Sequence, residues 1–181
     1  MANNLHKFTV AEATSKMAQR AIVRVVPTLS TDAYSVDDVL FTGVEIPNAV
    51  LVNGGCSQLQ HMFVVDRADQ GDIDIEFHFT EKNTAFGTQN STANISAADL
   101  KNIGYCGWGT IIGDQADTAN NIDNATIHKV MGAGNANEST SPLTLLQAEE
   151  GSTSVYVHAV VIGGTPTYAA DSLDLIFHID Y

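Results

Sequence analysis

Six side chains on two similar stretches are the first candidates for chemistry. Asp72 to Thr80 reads D-I-D-I-E-F-H-F-T, and Ser172 to Tyr181, one hundred positions on, reads S-L-D-L-I-F-H-I-D-Y. In an extended chain alternate residues share a face. His78 therefore lies beside Asp74 and Glu76, and His178 beside Asp174 and Asp180. A histidine next to carboxylates can relay protons or sense pH. Alternation alone also places all six on a solvent-facing strand surface, and that simpler reading is preferred because nothing in the spacing makes the two strands neighbours.

Two further groups invite the same question. Asp114, Asp117, Asn121 and Asp123 can offer oxygens to calcium, but they lack the regular alternate spacing of a calcium loop. They are read as a solvated acidic loop that holds no metal. Tyr34, Tyr105, Trp108, Tyr156 and Tyr168 can form a stacking platform for a sugar, although scattered aromatics more often fill a core. The sequence contains no glycine-rich phosphate loop, no G-x-S-x-G elbow and no paired-histidine metal motif. No catalytic residue and no cofactor is expected. Cys56 and Cys106 have neither zinc nor thioredoxin spacing and are expected to be buried, unpaired thiols.

Positioning such side chains requires strands, and strands are what the patterning describes. Ile73, Ile75, Phe77 and Phe79 alternate with polar residues in the first stretch, as Leu173, Leu175, Phe177, Ile179 and Tyr181 do in the second. Such a terminal strand must be buried between others, since left free it would be an aggregation edge. Further strands are expected at 21–28, 39–42, 49–52, 57–66, 105–113, 125–131, 143–148 and 152–162. Asn53-Gly54-Gly55 reads as a hairpin turn that pairs the flanking runs. Lys82 to Asn94 reads as a surface loop, and Ser96-Ala97-Ala98-Asp99 caps a short helix ending near Gly104. Thr9-Val10-Ala11-Glu12 has the same capping pattern. Short strands without a β-α-β rhythm predict an all-β, antiparallel β-sandwich, jelly-roll-like, with one or two short helices. Residues 1–20 form an N-terminal arm or short helix, and 21–181 a single sandwich domain.

Charge narrows the partners. The 181 residues carry 8 Lys plus Arg against 21 Asp plus Glu, a net charge of −13. Such a body repels phosphate backbones and anionic membranes, so neither nucleic acid nor membrane is an expected partner. No stretch approaches the length of a membrane span and Met1 to Lys7 has no apolar signal core, so synthesis in a cytoplasm is expected. Lys7, Lys16, Arg20 and Arg24 face only Glu12 in the first 24 residues, a local balance of +3 that leaves −16 for the remainder. This basic segment is expected to dock on an acidic neighbour. Met62, Val64, Val160 and Ile176 fall on nominally outer faces, where they can line a contact between protomers; cover by loops of the same chain explains them equally well.

A resemblance runs over most of the chain. It is carried by an opening of the type N-x-x-K-F-T-V at Asn4 to Val10, by Phe79-Thr80, Gly87-Thr88 and Ile95-Ser96, by Gly151 to Val157, and by Gly164-Thr165-Pro166-Thr167-Tyr168 before the closing strand. In these the sequence resembles small virion proteins of marine tailed bacteriophages. The resemblance implies a non-enzymatic auxiliary capsid protein that decorates or cements the head, with the major capsid protein of the same particle as partner and the virion surface as its location. A tail-associated adhesin or glycan-binding module is the alternative. A closed homo-oligomer, a trimer, suits the three-fold positions of a shell. The motifs are structural, and no functional residue transfers with them.

Overall fold

The computed structural model describes residues 20–70, 73–113, 119–121, 124–132 and 144–181, and these form two antiparallel sheets packed face to face. The first sheet has the order β1 (Arg20–Val25), β11 (Leu173–Asp180), β3 (Cys56–Asp66), β7 (Thr126–Lys129) and β6 (Ala119–Asn121), with β9 (Thr144–Gln147) paired to the start of β3. The second runs β2 (Val39–Ile46), β10 (Val155–Gly163), β4 (Asp74–Thr80), β5 (Tyr105–Ile112) and β8 (Met131–Gly132). The chain changes sheet at every connection except β4 to β5 and β6 to β7. One helix, α1 (Ala97–Asn102), is capped as expected, the Ser96 side chain accepting from the Asp99 N–H.

The two similar stretches are β4 and β11, and they sit in opposite sheets. Their apolar residues point at one another: Ile75, Phe77 and Phe79 meet Leu173, Leu175, Phe177 and Ile179 in one buried cluster. The Phe79 and Phe177 rings lie edge to face at 6.4 Å. β11 is held on both sides, by β1 and by β3, which is how a strongly apolar strand avoids becoming an edge. Arg20, assigned to the arm by its charge, opens β1 instead. The other arm residues, including Lys7, Lys16 and the Thr9 cap, lie outside the described residues.

Four expectations need correction. In β3 the residue Gln60 is a bulge: Leu59 pairs with Ile179 and His61 with His178, which leaves Gln60 unmatched. One extra residue reverses the alternation. Met62 and Val64 therefore face the core, not the surface, and His61, Phe63 and Val65 face out. Ala49 to Val52 is not a strand; β2 ends at Ile46 ahead of Pro47, and the chain turns with Asn48 at φ 51°. The Gly54 turn exists, with the Gly55 N–H donating to the Val52 carbonyl at 2.9 Å, yet it joins no hairpin, because β3 pairs with β11, β7 and β9. Residues 125–131 split at Val130 between β7 in the first sheet and β8 in the second.

Packing density at the centre sets the first expected outcome. Replacing Phe177 by Ala removes a fully buried ring at the meeting point of the sheets and should lower unfolding stability by about 3–5 kcal/mol. Urea titration measures this. Against a typical total of about 5–15 kcal/mol, deletion of residues 172–181 should abolish cooperative folding altogether.

Candidate functional site

The two outward surfaces of the sandwich carry the polar side chains of the twin strands, so His78 and His178 are on opposite sides of the molecule. Neither is simply solvated. The surroundings of each follow from what the neighbouring strands and loops supply.

On the second sheet, the connection from β4 to β5 folds back over part of the outer surface. Val39, Phe86, Ile103 and Val160 make a separate buried cluster there. Val160 is thus covered by its own chain, and Lys82 to Asn94 is a cover as well as a loop. The fastening is His158, which is fully buried. The Gly43 N–H donates to its Nδ1 at 2.9 Å, so Nδ1 is the acceptor and Nε2 carries the proton. Nε2–H donates to Thr80 Oγ1 at 2.9 Å, and Thr80 donates to the Lys82 carbonyl. Thr42 Oγ1, 2.8 Å from the same Nδ1, accepts the Phe86 N–H. Phe86 stacks on the His158 ring at 4.3 Å. Gly43 sits at φ 64°, where a side chain would also strike Asn83.

Beside this cover lies a chain of three groups. Tyr105 Oη is 2.8 Å from His78 Nδ1, and His78 Nε2 is 3.3 Å from Glu76 Oε1. The carboxylate fixes the proton on Nε2, so Nδ1 accepts from the Tyr105 O–H. Burial holds His78 down at about 4 and raises Glu76; it also pushes Tyr105 up to about 12, helped by the Glu76 charge. At neutral pH the array is neutral histidine, protonated phenol and carboxylate. That is a satisfied hydrogen-bond chain, not an activated nucleophile with a base poised near neutrality. Trp108 stands opposite His78 across β4 and β5. Tyr34 and Tyr168, by contrast, are core residues packed edge to face at 6.3 Å.

Among the described residues no such cover lies on the outer face of the first sheet. His61 and His178 are cross-strand partners with ring centres 6.0 Å apart, and Phe63 lies 5.4 Å from His178. A cleft of about 510 Å³ opens beside the Gln60 bulge, lined by Arg20, Ile22, His61, His178 and Asp180 among others. Arg20 pairs with Asp180 at 2.8 Å, and Arg67 with Asp174 at 3.5 Å. Arg24 and Lys129 share the surface, facing Ile176 and Phe63 in register. Four of the six Lys and Arg among the described residues, Arg20, Arg24, Arg67 and Lys129, thus surround an apolar centre of Ile22, Phe63, Val65 and Ile176. Ile22 is 55% exposed. The bulge carries no sequence signal, so alternation alone does not bring His61 and Phe63 to this surface.

Of the remaining candidates, Asp114, Asp117 and Asp123 lie outside the described residues, and no cluster of metal-ligating groups occurs among those described. Both cysteines are free; Cys56 is exposed, contrary to expectation, at the outward start of β3, and Cys106 is half-buried with its thiol pushed up by burial. No family model matches the chain, and no curated protein sequence matches it.

Acid should test the buried histidines. Burial lowers His61, His128, His78 and His158, the last two to about 4. Folded-state values below the unfolded one mean that the unfolded chain binds protons first. This stability is present above about pH 6.5 and is lost as pH falls from there towards 4. Asp66 and Glu76, raised by burial, act in the opposite sense. His158 alone should account for a loss of about 3 kcal/mol across that window. His158→Gln should be less stable at pH 7 and show a shallower decline with acid in urea titrations at stepped pH; an unchanged slope would exclude a neutral buried His158.

Proposed function

We propose that this chain is a non-enzymatic structural protein of a tailed bacteriophage virion that decorates the head, binding the major capsid protein through the outer face of its first sheet. The observation that carries the reading is the separation of charge on that face. On a chain of net charge −13, four cations surround a half-exposed apolar band, with only Asp174 and Asp180 among them. A surface with an apolar centre and a basic rim fits an acidic protein, with steering from the rim and burial from the centre. Ile176 and the arginines Arg20 and Arg24 serve this contact; Met62 and Val64 are core, and Val160 lies under the protein's own loop. The resemblance to small virion proteins supplies the identity of the acidic partner.

The working unit in this reading is a closed trimer, in which several modest contacts act together. Linked engagement raises avidity by about 10²–10⁴ without any stronger single interface. Light scattering at micromolar concentration should give a mass of three 19.3 kDa chains; the mass of one would overturn the trimer.

Docking is tested on particles. Arg20→Glu with Arg24→Glu leaves both inner faces intact and should cut head occupancy roughly ten-fold at physiological salt, with a larger deficit relative to the unchanged protein at low salt, where the charges are less screened. Occupancy is measured by quantitative gel analysis of purified particles, and tagged copies imaged by negative stain locate the label. Full occupancy of the double variant would refute this face as the contact; a label confined to the tail would refute head decoration.

A further inference from the structure

The second sheet carries a site that the docking reading does not use. Tyr105 and Trp108 are 44% and 39% exposed, and they are the only aromatic side chains among the exposed large apolar residues of the described chain. They lie on one strand and share its outer face because Cys106 between them is a bulge: Trp108 is opposite His78 and Tyr105 opposite Thr80, with the Tyr105 phenol reaching back to His78. Aromatic rings are costly to leave in water, and a pair on one flat surface calls for an occupant with a flat apolar face of its own.

The polar groups beside the rings say what that occupant must offer. Tyr105 gives its proton to His78, and Glu76 takes the other imidazole proton, so the phenol oxygen and the second carboxylate oxygen of Glu76 are left as acceptors. Burial in the array leaves Glu76 partly dehydrated while its hydrogen bond to His78 holds it in place. The site therefore presents two stacking surfaces and two pre-positioned acceptors, and its own four side chains include no cation to receive an anion. A ligand with many hydroxyl donors, a hydrocarbon face and no negative charge matches it. We infer that the Tyr105–His78–Glu76 array with Trp108 is a binding site for a neutral glycan, the hydroxyls donating to Glu76 and Tyr105 while the sugar C–H faces stack on the two rings.

With Cys106 bulged out of register, the two rings occupy neighbouring positions of one face, about 7 Å apart along the strand at roughly 3.3 Å per residue. Their separation disfavours the other ligand that aromatics and a carboxylate can hold, a quaternary ammonium group. That recognition needs rings converging on one point, whereas Trp108 touches no other ring among the described residues. The site is on the opposite sheet from the docking face, so its test does not depend on particles.

Trp108 is the only tryptophan of the chain, so emission from the intact protein reports on this site alone. A printed array of neutral and acidic glycans selects the ligand. Titration with neutral oligosaccharides of glucose, galactose and N-acetylglucosamine then measures it by fluorescence. Saturable binding of a neutral oligosaccharide is expected, weakened roughly ten-fold in Tyr105→Ala and in Glu76→Gln and by a smaller factor in Tyr105→Phe, which keeps the ring but loses the acceptor. Circular dichroism confirms that each variant is folded. No saturable binding across the array, or binding untouched by Tyr105→Ala and Glu76→Gln, would overturn the inference. So would preference for tetramethylammonium over every neutral glycan with the same dependence on these residues.

Discussion

The contact on which the molecule depends is the meeting of β4 and β11 across the sandwich. Two strands of nearly the same sequence are placed back to back, so that Phe77, Phe79 and Phe177 fill one layer and the polar positions of both strands turn outwards. Apolar burial of this kind is non-directional, and it supplies most of the free energy of such a fold. Its geometric consequence is specific. Once the phenylalanines are inside, the two histidine-carboxylate rows must lie on opposite surfaces, about two sheet layers apart, and can never form one site. What each row does is then decided locally, by the loop that covers one surface and the open strands that frame the other.

Alternation made the strands, the sandwich and the Ser96 cap readable, because each is a local property of spacing. The failures are equally physical. A bulge needs no particular residue, and Gln60 looks like any strand glutamine; yet it reverses the phase of everything after it, which moved Met62 and Val64 inside and His61 and Phe63 out. Ala49 to Val52 is as apolar as a strand but follows Pro47 into a turn, where Val50 is buried and Leu51 and Val52 are exposed. The role of Lys82 to Asn94 as a cover turns chiefly on Phe86, a single aromatic in a polar run, with Ala93 packed beside it. Sheet membership was illegible throughout, since pairing partners come from distant parts of the chain.

The histidines show how little a residue type says before its surroundings are known. His78 and His158 are cross-strand neighbours on β4 and β10, yet one is the middle link of a chain that reaches the surface and the other fastens a loop in the interior. His128 is buried with neither ring nitrogen hydrogen-bonded. His61 and His178 share an open cleft with an ion pair. Desolvation dominates wherever the ring is enclosed, and it keeps these imidazoles neutral as structural dipoles, a different use from the proton exchange their carboxylate neighbours first suggest.

The alternation of the chain between sheets also dictates a timetable. Among the described residues only β6 and β7 form a tight local pair; β4 with β5 and β5 with β8 pair across longer connections, and the remaining pairings join segments far apart in sequence. Such topologies close long loops before any contact rewards them, and they fold in the slow range of about milliseconds to seconds. The strand that joins β1 to β3 is β11, so the first sheet has no continuous middle until residues 173–180 have been synthesised. During translation β1 and β3 wait with their apolar faces uncovered. The interval between the first strand and the eleventh is when this protein is most open to misassembly, and holding chaperones would act there.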